Sequence, residues 1–86
     1  MSARTNDIRK EILMQLYAVR PLSLTPARLQ RDARKAGYDY TVPEISAELQ
    51  FLEDEECVVS EREPGQTGKL YRIAGRGVKH YEEKYS

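Results

Sequence analysis

The chain has 86 residues, 40% of them apolar and 33% charged, and its 14 lysines and arginines balance its 14 aspartates and glutamates. So short a chain buries only roughly 60 to 65 per cent of its unfolded surface, which excludes two separate cores, and its apolar content excludes a disordered polymer. A net charge of zero leaves no overall field toward nucleic acid or anionic lipid, so binding to either must come from a local patch.

No run approaches the ~20 apolar residues that cross a bilayer, and Met1 to Asn6 lacks the apolar stretch of a signal peptide. A cytoplasmic protein without a membrane partner is expected. Cys57 has no second cysteine to pair with, and one histidine cannot complete a structural zinc site, so neither metal nor cofactor is expected.

In chain order, residues 1–6 are expected to be disordered. Ile8, Ile12, Leu13, Leu16 and Tyr17 then recur at helical spacing behind Thr5, Asn6 and Asp7 as candidate caps, which predicts a first helix from about Asp7 to Val19. Pro21 ends it, and Leu22 to Leu24 leaves room for a short extended piece. Thr25 and Pro26 open a second helix, with Leu29, Ala33 and Ala36 as its apolar stripe and Gly37 as a left-handed stop. Thr41 opens a third, running to about Glu55, with Val42, Ile45, Leu49 and Leu52 on one face.

Cys57 to Arg62 and Lys69 to Ile73 read as two strands around the turn-rich segment from Glu63 to Gly68. Ala74-Gly75-Arg76-Gly77 interrupts the second strand, and Val78, Tyr81 and Tyr85 at helical steps predict a short last helix. That stripe either closes over the first helix or pairs with a second subunit as a homodimer. A two-stranded sheet is unstable alone, so the hairpin must lie on the helices. The expected architecture is one α+β domain over residues 1–86, with a three-helix core, a two-stranded hairpin and a short C-terminal helix.

The segment from Leu49 to Val59, followed by Leu70-Tyr71-Arg72-Ile73-Ala74-Gly75-Arg76-Gly77, resembles winged-helix (winged helix-turn-helix) transcriptional regulators. The layout and size are also similar to short winged-helix proteins of Mu-like prophages. Two positions depart from the pattern: Glu56 stands where glycine is usual, and Ala74 replaces a threonine. A left-handed Glu56 would cost roughly 1 kcal/mol relative to glycine, so a differently built helix end is expected there.

The resemblance implies a small regulator that binds double-stranded DNA, with the third helix in the major groove and the hairpin as a wing. On that reading Arg28, Arg31, Lys69 and Arg72 clamp phosphates, and Thr41 and Gln50 face the groove, Gln50 being suited to adenine. The residues also argue the other way. No lysine or arginine occurs between Lys35 and Arg62, whereas Glu44, Glu48, Glu53, Asp54, Glu55 and Glu56 lie on or just after the third helix, where phosphates would repel them. The helical wheel turns Pro43, Glu44, Ala47, Gln50, Phe51 and Asp54 outward.

The alternative is therefore a winged helix that binds a basic protein partner through Glu44, Ala47, Phe51 and Asp54, without DNA. For the basic residues themselves, the bland reading in place of a DNA clamp is that the second helix has a solvated charged face and the wing arginines pair with Glu61 and Glu63. Phe51 itself is either partly buried or an interface anchor. Catalysis is not expected: His80 has no nucleophile and orienting acid beside it in the sequence, Cys57 reads as a small buried hydrophobe, and Pro64 to Lys69 lacks a full phosphate-loop pattern.

Overall fold

A computed structural model describes residues 2–62, 65 and 68–85. Four helices and one hairpin follow one another as α1 (Ala3–Val19), α2 (Pro26–Lys35), α3 (Val42–Asp54), β1 (Val58–Glu61), β2 (Leu70–Ile73) and α4 (Gly75–Lys84). This is the α+β, winged-helix-like arrangement expected from the sequence.

The first helix begins a turn earlier than its apolar spacing indicates. The Ser2 hydroxyl accepts the Thr5 backbone N–H at 3.1 Å, so residues 3–6 are helical and the expected disordered N-terminus is corrected for them. Thr25 caps α2 by accepting the Arg28 N–H at 3.1 Å. Gly37 follows that helix with φ 99°, the left-handed stop that only glycine adopts freely. At the start of α3, Thr41 and Glu44 form a reciprocal capping box, with backbone-to-side-chain bonds of 3.0 and 3.2 Å.

The other end of α3 departs from expectation. Glu56 sits at φ 63°, so this end has the ordinary left-handed geometry with a glutamate in the glycine position. Cys57, next along, donates its backbone N–H to the Leu52 carbonyl at 2.8 Å, which fixes where β1 leaves the helix.

β1 and β2 pair antiparallel, Val58 opposite Ile73 and Ser60 opposite Tyr71. Leu24 exchanges two backbone bonds with Tyr71, at 2.8 and 2.9 Å, which adds the connection between α1 and α2 to the other side of β2. The core lies between this sheet and the helices: Ile8, Ile12, Leu13 and Leu16 of α1 meet Leu29, Ala33, Ile45, Leu49 and Leu52, and Val58, Tyr71 and Ile73 close it. Ala36, counted in the apolar stripe of α2, is exposed, and Val42 is 38% exposed at the edge of α3.

Val78 and Tyr81 of α4, and Tyr85 just after it, pack against the core cluster. The Tyr17 and Tyr81 rings lie 4.6 Å apart, and the Tyr17 hydroxyl donates to Glu82 at 2.6 Å. The stripe thus closes over α1, one of the two uses expected of it. Close seating of α4 depends on Gly77, since a Cβ there would fall 2.1 Å from the Cys57 carbonyl oxygen. Among the described residues, no helix is long and apolar enough to cross a membrane.

Candidate nucleic-acid interface

The outer face of α3 is less acidic than its sequence suggests, because α1 lies along one flank and takes up the glutamates there. The Arg4 guanidinium donates to both oxygens of Glu44, at 2.7 and 3.0 Å, and reaches Asp39 at 3.3 Å. Arg9 donates to Glu48 at 2.7 Å, with both side chains largely covered (14% and 16% exposed), and its guanidinium lies 3.4 Å from the centroid of the Phe51 ring. A carboxylate between a guanidinium and a backbone N–H favours its charged form. Accordingly, Glu44 is held down to about 2, chiefly by Arg4 and then by the Thr41 backbone.

Of the six residues that the wheel turns outward, Pro43, Ala47, Gln50 and Asp54 are exposed. Glu44 is half-buried on the α1 flank, and Phe51, 36% exposed, carries Arg9 on its face. Between Thr41 and Gln50 the outward side of α3 bears Pro43, Ser46 and Ala47, with the ionised Glu44 at its α1 edge paired to the half-exposed Arg4. Asp54 accepts the Gln50 amide N–H at 2.9 Å. Asp54, Glu55 and Glu56 are exposed at the far end of the helix, about 20 Å from Thr41 at 1.5 Å per residue.

Beside α3, α2 exposes Arg28, Arg31, Arg34 and Lys35. Its acid, Asp32, is bonded by Arg28 at 3.0 Å. On the hairpin Lys69 is exposed, and Arg72 is half-buried opposite Val59 on the sheet face away from the core. Glu61, expected to pair with a wing arginine, accepts instead from the Ser23 hydroxyl. Glu63, the other expected partner, lies outside the described residues, as does most of the turn segment expected between the strands.

The six candidate DNA contacts thus occupy three elements: Arg28 and Arg31 on α2, Thr41 and Gln50 at α3, Lys69 and Arg72 on the hairpin. Thr41 is committed to its capping box and Gln50 to Asp54, so a groove-facing role for Gln50 means exchanging that bond. Among the described residues, no hydrogen bond or ion pair joins any of the six to another. Arg4 and Arg9 went unnoticed in the sequence; their importance comes from partners some forty residues away on α3.

Cys57 is buried, and burial pushes its thiol pKa up while Arg76 opposes the shift. His80 is exposed on α4 with its ring 6.0 Å from that of Tyr85. Among the described residues, no three His, Cys, Asp or Glu side chains are grouped to hold a metal ion. No protein-family model matches the chain, and no curated protein matches it either.

Proposed function

We propose that this protein is a small winged-helix regulator that binds double-stranded DNA, with α3 in the major groove and α2 and the hairpin on the flanking phosphates. The observation that carries this reading is that the glutamates of α3 between Pro43 and Gln50 are charge-paired by α1, Glu44 with Arg4 and Glu48 with Arg9. Pairing Glu44 at the groove side and Glu48 on the α1 flank with cations weakens the electrostatic objection to an otherwise acidic helix. Small side chains at Ser46 and Ala47 let the helix backbone approach base edges closely. The resemblance to winged-helix proteins of Mu-like prophages suggests a phage genome as the setting.

The same contacts weaken the protein-docking alternative, since Glu44 is paired with Arg4, one face of Phe51 carries Arg9 and Asp54 is bonded by Gln50. The test is fluorescence anisotropy with mixed-sequence duplex DNA across a salt series. Four to six phosphate contacts give a log-log salt slope of roughly −4 to −5. Arg31→Glu and Lys69→Glu each lower affinity about tenfold or more and flatten that slope. Absence of binding at low salt, or variants that bind like the parent, overturns the reading and leaves a protein partner as the working hypothesis.

A further inference from the structure

Beyond the proposed DNA contacts, none of which lines it, α1, the end of α3 and α4 border a cleft of about 700 Å³, a size usual for small-molecule sites. Its floor is apolar: the core residues Leu13 and Leu52 line it together with the buried Cys57. Phe51 and Tyr85 add aromatic walls. Its rim is cationic, with Arg76, Lys79 and Lys84 of α4 all exposed on it. Two carboxylates oppose them, Glu55 and Glu83, and Glu83 is already engaged by Lys79 at 3.9 Å. Arg9 also borders the cleft, but it serves Glu48 and Phe51.

We infer that this cleft binds a small amphiphilic anion, a carboxylate on an aliphatic or aromatic body. The apolar body lies against Leu13, Leu52 and the rings of Phe51 and Tyr85, and the carboxylate meets Arg76 and Lys79, which stand one turn apart on α4, replacing the exposed Glu83 as the partner of Lys79. A neutral apolar molecule in the same place would desolvate these cations with nothing in return, whereas a carboxylate supplies charge-assisted hydrogen bonds. A nucleic-acid backbone fits poorly, since it cannot use the apolar floor and would meet Glu55 and Glu83. The inference stands on the cleft alone and does not depend on DNA binding.

The test is a titration of the ¹⁵N-labelled full chain, followed by amide chemical shifts, with octanoate, with 2-naphthoate and with octanamide as the neutral match. We expect saturable shifts confined to residues around 9–13, 51–57 and 75–85. Octanoate should bind at least tenfold more tightly than octanamide. The exposed double variant Arg76→Gln/Lys79→Gln should lose that preference while keeping the parent's melting temperature. Saturation by only one carboxylate supports the site and identifies the body it accepts. Equal affinity for acid and amide, shifts centred elsewhere, or failure of both carboxylates to saturate overturns the inference.

Discussion

The guanidinium of Arg9 is shared between Phe51, whose ring centroid lies 3.4 Å away, and Glu48, bonded at 2.7 Å. One side chain of α1 thus neutralises a carboxylate of α3 and covers its only phenylalanine. Because the ion pair is largely out of water, losing its cation strands the partner. Arg9→Ala should cost about 2 to 3 kcal/mol in urea denaturation, combining the stranded carboxylate with a lost cation–π contact. In the Glu48→Gln background the same substitution should cost distinctly less, and an equal cost in both would show that the ion pair contributes nothing.

The Arg4–Glu44 pair is more exposed and should be read by pH. Glu44 is depressed to about 2 from an ordinary 4.5. A carboxylate whose folded pKa is lowered contributes stability that is fully present above its unfolded value and lost as pH falls through the folded one. The melting temperature of the parent should therefore exceed that of Glu44→Gln above about pH 5, with the gap closing between roughly pH 4.5 and 2. High salt should narrow the gap at neutral pH; a gap independent of pH would leave the capping geometry alone as its source.

Glu56 holds a left-handed conformation at φ 63°. Glu56→Gly should stabilise the fold by about 1 kcal/mol, which for a domain of this size raises the melting temperature by about 4 to 8 °C. Glu56→Ala keeps the Cβ and should give little of that gain, which separates the backbone effect from removal of a charge.

Two glycines of α4 should respond in opposite ways to alanine. At Gly77 a Cβ would meet the Cys57 backbone oxygen at 2.1 Å, so α4 has to move off the sheet and the loss should reach about 3 kcal/mol or more. At Gly75 nothing lies within 4 Å, and alanine should be neutral or stabilising by up to about 0.5 kcal/mol. Thermal melts of the two variants side by side decide it.

No side chain caps α4, whose N-cap is Ala74 with φ −92° and ψ 167°. That extended geometry suits a capping hydroxyl, so Ala74→Thr should stabilise by about 1 kcal/mol. No change in melting temperature would mean that the first-turn N–H groups already have adequate partners in water.

The elements were legible in the sequence where local chemistry decides them. Thr25-Pro26 and Thr41 mark the helix starts, Gly37 the stop, and the spacing of Ile45, Leu49 and Leu52 the buried face of α3. The beginning of α1 was missed because Ala3 to Asp7 carries no apolar repeat, and only the Ser2 hydroxyl marks the cap. The same misreading hid Arg4, which lies inside the segment expected to be disordered. The charge of the candidate interface was misjudged for a different reason. A helical wheel shows which way Glu44 points from its own axis, but not that a guanidinium from α1 waits there. Glu56 illustrates a third limit: the cost of a left-handed glutamate argued for a differently built helix end, yet the fold keeps that geometry, with Cys57 bonded back to Leu52.

The two backbone bonds between Leu24 and Tyr71 have a consequence for the order of assembly. The turn between the first two helices completes its hydrogen bonding only when the second strand, far later in the chain, has arrived. Bringing such distant segments together costs loop entropy before any bond is formed. The helices and the hairpin should therefore fold in one concerted step, and the hairpin should be protected from amide exchange nearly as long as the helices it rests on.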